Sequence, residues 1–290
     1  MIVVTGATGN VGSSLVRILA AAGARTTATS RNISAADVPD HVPHRRADLA
    51  DPHALRAVFD GAEALFLQNG GPSAHLLNPR DILDVAEAAG IRRVVLLSSQ
   101  GVATRPDSQS HGAVALAFED AVRQSGLAWT ILRPSGFHSN AYAWAESVRT
   151  HRTVAAPFAD VALPHIDPDD IAEVAALALR AGDHDGHDDH DDHDGRIYEL
   201  TGPSATTPRR QAEALADALG EPVRFVELTR DEARAHLLRL MPEAVADTTL
   251  SILGDPTPAE RRISPDVERL LGRAPRTFAD WAQRYVAAFR

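Results

Sequence analysis

The sequence predicts an α/β protein, a Rossmann-type doubly wound parallel sheet with a small C-terminal substrate-binding lobe. Three observations lead to this prediction. Short apolar runs alternate with helix-like segments through the first 200 residues, which is typical of a parallel sheet with helices on both faces. The first apolar run ends in the glycine-rich turn "VVTGATGNVG". After about residue 202 the alternation changes.

The elements of the sheet follow from these runs. Seven runs are predicted to be strands, at 1–5, 25–30, 44–48, 63–68, 93–98, 127–132 and 196–201. Six segments between them are predicted to be helices, at 11–22, 52–60, 79–89, 111–125, 137–149 and 168–181. The last helix has the clearest start, because Asp167 offers an N-cap carboxylate and Pro168 occupies the first turn. Residues 1–200 are therefore predicted to form one domain.

Residues 201–290 are predicted to form an α/β lobe packed on that domain. "TPRRQAEALADALG" is helix-like, "PVRFVEL" is strand-like and 230–253 is helix-like again. "TFAD" at 277–280 has the spacing of a capping box, which starts a last helix with Trp281, Tyr285 and Phe289 on one face. We expect this lobe to lie over the carboxyl edge of the sheet and to form part of a substrate pocket.

The composition limits the possible chemistry. Cysteine is absent, which excludes disulfides, thiolate catalysis and zinc–cysteine sites. All 29 basic residues are arginine, which excludes a lysine Schiff base and a tyrosine–lysine catalytic pair. No apolar run approaches the roughly 20 residues of a membrane span, and "MIVVTG" at the start is not a secretory leader. We therefore expect a cytoplasmic monomer or homodimer without a membrane partner.

The net charge of −10 is concentrated in one tract. "DHDGHDDHDDHDG" at 183–195 carries seven aspartates and no basic residue, which leaves the rest of the chain near −3. A nucleic-acid partner is therefore not expected. The four histidines of the tract are compatible with Zn²⁺ or Ni²⁺ binding, but repulsion between like charges favours a mobile, solvated loop. We predict no dedicated metal site.

The glycine-rich turn predicts a dinucleotide site. Gly6 permits a tight turn, Gly9 lets backbone amides approach a pyrophosphate, and Gly12 allows the helix to pack closely on the strand. The N-terminus of the following helix stabilises phosphate charge. A turn requires glycine in any case, but the strand before it and the helix after it favour a dinucleotide.

The second strand selects the cofactor. A site for NAD usually has an acidic residue at the end of this strand, which binds the ribose 2′-hydroxyl, whereas this chain reads "TATSRN". Arg31 offers a fork of donors to a 2′-phosphate, beside the neutral Ser30 and Asn32. A solvated surface arginine is the alternative. The sequence therefore favours NADP(H) over NAD(H).

Two further strand ends are expected beside the cofactor. Asp48 and Leu49 follow the third strand, where the acid accepts from the adenine amino group and the leucine covers the ring. A helix cap is the alternative for Asp48. Gln68 and Asn69 end the fourth strand, where the chain passes close to the cofactor; a plain loop is the alternative there.

The opening TGATGNVG, Arg31, "LLSSQG" and "SGLAWTILRPSGFHSN" together resemble the NmrA-like branch of the atypical short-chain dehydrogenases/reductases, in particular its actinobacterial NAD(P)H-binding proteins. The resemblance covers essentially the whole chain and implies a Rossmann domain, a C-terminal substrate lobe and NADPH preference. It places a 2′-phosphate contact on Arg31 and a nicotinamide-lining segment on 134–137. The remaining cofactor contacts that it implies are Thr5, Gly6, Thr8, Gly9, Asn10, Val11, Gly12, Ser98, Pro134 and Phe137.

Members of this branch often keep a lysine on the helix after the fifth strand, where this chain reads "ALAFEDAV". The proton donor must therefore be sought elsewhere. His111 lies near the start of that helix and is the first candidate, because an imidazole ordinarily titrates near neutrality and can donate a proton. A partly exposed loop position is its alternative. Ser99 is the second candidate, as a residue that polarises a carbonyl; capping of a turn is its alternative. His138 follows the nicotinamide-lining segment and is the third candidate, as a residue that faces the pocket; the start of a helix is its alternative.

Three functions are compatible with these residues. The first is NAD(P)H-dependent reduction of a quinone, enone or ketone by hydride transfer, with a small molecule as partner. The second is a non-catalytic NADP(H) sensor that binds another protein. The third is a non-redox epimerase, dehydratase or cyclase on the same fold.

Overall fold

A computed structural model describes residues 1–68, 76–108, 111–181 and 193–290. A seven-stranded sheet runs in the order β3-β2-β1-β4-β5-β6-β8, and every strand pair in it is parallel. A two-stranded parallel sheet joins β7 to β9. The strands are β1 (Ile2–Thr5), β2 (Thr26–Ser30), β3 (His44–Arg46), β4 (Ala64–Gln68), β5 (Arg93–Leu97), β6 (Ala128–Pro134), β7 (Thr153–Pro157), β8 (Arg196–Leu200) and β9 (Arg224–Leu228).

Helices cover both faces of the large sheet, which confirms the predicted fold class. The α-helices are α1 (Asn10–Ala21), α2 (Pro52–Phe59), α3 (Pro79–Ala88), α4 (Gly101–Thr104), α5 (Ala113–Gln124), α6 (Ala145–His151), α7 (Pro168–Arg180), α8 (Pro208–Leu219), α9 (Arg230–Leu237), α10 (Glu243–Gly254), α11 (Asp266–Leu271) and α12 (Phe278–Tyr285). Short 3₁₀ segments lie at Ala35–Asp37, His138–Trp144 and Val286–Phe289. None of the helices described is long and apolar enough to cross a membrane.

Neighbouring residues of the strands point to opposite faces of the sheet, which divides the core in two. Val4 and Phe66 pack in the cluster that includes α1 and α7, whereas Val3 and Leu65 pack in the cluster that includes α2 and α3. A third cluster around Trp281 joins α8 and α12 to the segment after β6. The large sheet is therefore sandwiched between helices.

Two predicted helices differ from the structure. The segment 137–149 begins as the 3₁₀ turn His138–Trp144 and becomes α6 only at Ala145, because the amide of His138 donates to Ile166 O at 2.8 Å instead of entering a helix. The predicted helix at 230–253 is two helices with Pro242 as the N-cap of the second. Proline has no amide hydrogen to continue a helix and disfavours helical geometry in the residue before it.

Both predicted helix starts are confirmed. The carboxylate of Asp167 accepts from the amide of Asp169 at 2.9 Å and begins α7. Thr277 and Asp280 form a reciprocal capping box at the start of α12. Of the apolar face that follows, Trp281 is buried and Tyr285 is partly exposed.

Among the strands and α-helices of the described residues, three were not predicted: β7, α4 and α11. β7 reads "TVAAP", too alanine-rich to indicate a strand, and forms because it pairs with β9 from Thr153 opposite Arg224 to Pro157 opposite Leu228. α4 and α11 are too short for an apolar period to be recognisable. The small sheet pairs strands that lie on either side of residue 200.

Candidate functional site

A cavity of about 250 Å³ opens at the carboxyl ends of β1, β2 and β4. In an open parallel sheet, ligands bind where the strand order reverses direction, and here that point lies between β1 and β4. The cavity is lined by Thr5, Gly6, Thr8, Gly9, Thr29, Ser30, Arg31, Ala47, Asp48, Leu49, Leu55, Gln68 and Leu77. Eight of the residues predicted for the cofactor are therefore brought together: Thr5, Gly6, Thr8, Gly9, Arg31, Asp48, Leu49 and Gln68.

The glycine turn forms one wall of the cavity. Gly6 has φ of 61°, a conformation that glycine adopts without strain. Gly12 lies against the same turn: a Cβ there would lie 2.8 Å from Gly6 C and closer still to Gly6 O. Gly6 and Gly9 therefore line the cavity with backbone alone.

Gln68 lies across the cavity from this turn. Its side-chain Oε1 is one of two buried side-chain N or O atoms without a hydrogen-bond partner among the described residues, and it lies 2.9 Å from the position of a Cβ on Gly6. A buried acceptor without a donor is costly unless a ligand supplies one. A nucleotide with ribose hydroxyls, held on the amides of the glycine turn, fits these features.

The second strand and its neighbours form the other end of the cavity. Arg31 lies there with an exposed guanidinium, and Ser30 Oγ lies 2.9 Å from Thr8 Oγ1. Asp48 Oδ1 accepts from the amide of Ala50 at 3.0 Å, which is a turn contact, and the N-cap of α2 is Asp51. No acidic residue ends β2.

The other predicted cofactor residues lie outside the cavity lining. Asn10 donates to Ser139 Oγ at 2.9 Å, Val11 is buried in the core, and Asn32 is exposed. Pro134 is the last residue of β6 and pairs with Leu200. Gly12, Ser98 and Phe137 also lie outside the lining, and Asn69 is outside the described residues.

Ser98 is held by a buried ion pair that the sequence analysis missed. Glu119 is 0% exposed on α5 and accepts from Ser98 Oγ at 2.6 Å. Arg133 donates to both of its carboxylate oxygens, from Nε at 2.8 Å and from Nη2 at 2.6 Å. Burial by itself raises the pKa of Glu119, but the hydrogen bonds from Arg133 and Ser98 outweigh it and hold this pKa below its usual value. Since the Ser98 hydroxyl proton is directed at Glu119, Ser98 offers a ligand only an acceptor.

Two of the proposed catalytic residues follow β5. Ser99 Oγ accepts from the amide of Gly101 at 3.0 Å, which is a turn contact. His111 precedes α5 and lies between that turn and α10, with Nε2 3.5 Å from Thr249 Oγ1. Burial and the charge of Arg105 lower the pKa of His111. Neither residue lines the cavity.

His138, the third candidate, lies in the interior. Its ring is 2% exposed and packs edge-on to Phe278 at 5.3 Å. Nε2 lies 3.4 Å from Arg276 O, and Nδ1 is the second buried atom without a partner in the described chain. Burial, followed by the nearby His165, lowers the pKa of His138 to about 3, so its ring is neutral at physiological pH.

The C-terminal residues contact the loops at this edge of the sheet. Gln100, after β5, donates to Ala259 O at 3.2 Å, and Arg105 forms a bidentate ion pair with Glu260 at 2.8 and 3.0 Å. The loops that follow β5 therefore contact C-terminal residues.

Comparison with known proteins agrees with this geometry. A family described as NAD(P)H-binding matches residues 6–181, which contain the glycine turn, Arg31 and Gln68. The chain belongs to this NAD(P)H-binding family.

Curated relatives of this NAD(P)H-binding chain match along its full length. The (4-alkanoyl-5-oxo-2,5-dihydrofuran-3-yl)methyl phosphate reductase of Streptomyces griseus is 36% identical and covers 100% of this chain and 99% of its own. The NAD(P)H azoreductase of Xenophilus azovorans is 30% identical, with 100% and 99% coverage. The structure of an NADPH-dependent quinone oxidoreductase from Escherichia coli matches with a TM-score of 0.73 at 25% identity, covering 98% of this chain and 99% of that one.

The fold is shared more widely than the activity. The structure of NmrA, a negative transcriptional regulator, matches with a TM-score of 0.72 at 20% identity over 99% of this chain and 95% of its own. The NAD(P)H-binding family and the full-length reductases among its relatives nevertheless make this chain an NAD(P)H-dependent oxidoreductase that reduces small molecules.

Proposed function

We propose that this chain is an NADPH-preferring reductase of quinones or enones. The observation that carries the cofactor preference is Arg31 at the end of β2, in a cavity where no acidic residue ends that strand. A guanidinium binds a 2′-phosphate through paired, charge-assisted hydrogen bonds, whereas a carboxylate at this position would bind the free hydroxyl of NAD(H).

The substrate class is supported by the chemistry that the relatives share. Their names describe a dihydrofuranone with an alkanoyl group, an azo compound and a quinone. Each contains an electron-poor, conjugated π bond. Bound NAD(P)H would supply the hydride, and the protein's task is to hold the acceptor over it and to stabilise the charge that develops. We propose that the segment 201–290 forms the wall of the substrate pocket at the carboxyl edge of the sheet.

The test is a comparison of NADPH and NADH binding by calorimetry, followed by oxidation of each nucleotide with a panel of quinones and enones. Arg31→Ala is expected to weaken NADPH binding by about 10- to 100-fold, the equivalent of one or two charged hydrogen bonds, and to leave NADH binding unchanged. Arg25→Ala, an exposed arginine just before the same strand, is the matched control. Equal loss of both nucleotides in Arg31→Ala would contradict the proposed preference.

A second candidate is a non-catalytic NADP(H) sensor. The observation in its favour is Ala115, which is buried on α5 in the stretch where related reductases often carry a lysine. Tight NADPH binding without oxidation by any acceptor would favour the sensor. Conversion of a substrate without consumption of nucleotide would favour the epimerase, dehydratase or cyclase.

A further inference from the structure

His165 lies against an exposed glycine at the carboxyl end of β6. The segment containing it runs beside the end of that strand, because the amide of Ile166 donates to Gly136 O at 2.8 Å and the amide of His138 donates to Ile166 O at 2.8 Å. A Cβ on Gly136 would lie 2.8 Å from His165 Nε2 and closer still to Cδ2. The Nε2 edge of the imidazole therefore covers Gly136, where a side chain would displace it.

Gln211 fixes which ring nitrogen carries the proton. This residue is 5% exposed on α8, and its Nε2 lies 3.2 Å from His165 Nδ1. An amide nitrogen only donates, so Nδ1 accepts and the proton of the neutral ring is on Nε2. Burial lowers the pKa of His165 to about 4, which keeps the ring neutral at physiological pH.

The protonated nitrogen faces accessible space. Among the described residues, none accepts a hydrogen bond from His165 Nε2. The fully buried side-chain N and O atoms without a partner are Gln68 Oε1 and His138 Nδ1. His165 Nε2 is therefore not fully buried. Gly136, which it covers, is exposed. A donor thus lies at the carboxyl edge of the sheet, in a position that is not fully buried.

This point lies where the reacting end of the cofactor would be. The cavity with Arg31 occupies the side of the sheet formed by β3, β2 and β1, and the strands continue through β4 and β5 to β6. A dinucleotide lies across the carboxyl ends of such a sheet. With its adenosine end at Arg31, a dinucleotide would extend its nicotinamide end along this edge in the direction of β6, the strand that Gly136 follows.

We propose that His165 donates a hydrogen bond from Nε2 to the carbonyl oxygen of the quinone or enone and that Gln211 is the positioning residue that keeps Nε2 protonated. The inference rests on the proposed function. Bound NADPH would supply the hydride and be left as NADP⁺. The hydride forms a bond to the conjugated carbon, the π bond at that carbon breaks, and its electrons move to the carbonyl oxygen. The Nε2–H stabilises that oxyanion, and a proton from water completes the reduction, so the imidazole stays neutral throughout.

A neutral imidazole suits this role because it donates without carrying charge into the substrate pocket. Removal of one oxyanion donor typically lowers kcat by about 100- to 1,000-fold. His165 is partly exposed, so water replaces some of what it provides. We expect His165→Phe to lower kcat by about 10- to 100-fold for enones and quinones, with the dissociation constant for NADPH unchanged.

The first experiment reads the tautomer directly, by ¹⁵N NMR of histidine-labelled, NADPH-loaded protein at neutral pH. His165 is expected to be neutral with the proton on Nε2. In Gln211→Glu the carboxylate would accept from Nδ1–H, so Nε2 is expected to lose its proton or the ring to become charged. A proton on Nδ1 in the unsubstituted protein would overturn the assignment.

The second experiment measures charge stabilisation without turnover. The probe is 4-nitrophenol, whose ionised form has a distinct visible absorbance, titrated into the NADP⁺-loaded protein. His165 is expected to favour the bound phenolate, so His165→Phe should weaken phenolate binding about tenfold, whereas His53→Phe, an exposed histidine on α2, should not. Equal phenolate binding in all three proteins would overturn the proposal.

Gly136→Ala provides an independent perturbation, because its methyl group displaces the imidazole while the histidine remains. It should reproduce the loss seen in His165→Phe. Gly126→Ala, just before β6 begins, is its control, because a Cβ there would meet only Glu87 Oε2, at 3.9 Å.

Absence of NADPH oxidation with every acceptor would refute the proposed function alone, because the tautomer and the phenolate affinity do not depend on turnover. Turnover unaffected by His165→Phe would refute the donor alone.

Discussion

Gly12→Ala tests whether the close approach of α1 to the glycine turn is what the cofactor site requires. The new methyl group would lie 2.8 Å from Gly6 C, 3.0 Å from Ala7 Cα and closer still to Gly6 O. All three are backbone atoms, so no side chain can rotate away. Ordinary carbon contacts begin near 3.5 Å, so the helix and the turn must separate by roughly 1 Å.

The helix has little freedom to make this movement. Leu15 and Leu19 are buried in the core on the side of α1 that packs with α7. Overpacking of this kind costs about 1–3 kcal/mol. In a chain of this size, each kcal/mol lowers Tm by roughly 2–4 °C, so we expect a decrease of several degrees.

The displaced turn also moves the amides that face the phosphates. Loss of one charge-assisted hydrogen bond costs about 1.5–3 kcal/mol, so NADPH affinity should fall at least about tenfold. The assays are thermal unfolding with and without NADPH, and calorimetric titration of NADPH. Gly126→Ala, where a Cβ is accommodated, should behave as the unsubstituted protein does. Unchanged Tm and unchanged NADPH affinity in Gly12→Ala would refute the reasoning.

Three further predictions concern buried charge and the histidines. Glu119→Leu leaves Arg133 without its carboxylate partner and should lower the free energy of unfolding, measured in urea, by about 3–5 kcal/mol. The double variant with Arg133→Met should regain most of the lost stability. A double variant as unstable as Glu119→Leu would contradict this explanation. His111→Ala should change kcat less than tenfold, because His111 contacts Thr249 and lies outside the cavity lining; a loss of about 100-fold or more would make it the proton donor. The folded-state pKa values of His138 and His165, about 3 and about 4, lie below the ordinary 6.5. The stability that depends on these rings being neutral is therefore fully present above pH 6.5 and decreases as the pH falls below it, by up to about 1.4 kcal/mol per pH unit for each ring. Chemical denaturation from pH 7.5 to pH 5 should show a falling free energy of unfolding. In the double variant His138→Phe/His165→Phe, the free energy of unfolding should depend less on pH.

The large sheet was predictable because its signals are local. All seven of its strands begin and end within two residues of the segments predicted to form them. The glycine spacing and Arg31 predicted the cavity, because the carboxyl ends of neighbouring parallel strands meet at one edge of the sheet. The capping residues Asp167 and Thr277 marked the helix starts, because capping contacts span only two or three residues.

Only the tertiary structure decided the surroundings of the reacting end. In the sequence, Glu119 is one helix residue and Arg133 one strand residue; only packing joins them in an ion pair and brings Glu119 to Ser98. His165 and Gln211 are 46 residues apart, and nothing in "LPHID" indicates that the imidazole covers Gly136. The sequence by itself therefore determined the fold and the nucleotide cavity, through periodicity and turn chemistry that act over a few residues. The protonation, burial and direction of each candidate donor depend on partners that are distant in the chain, and only packing brings them together.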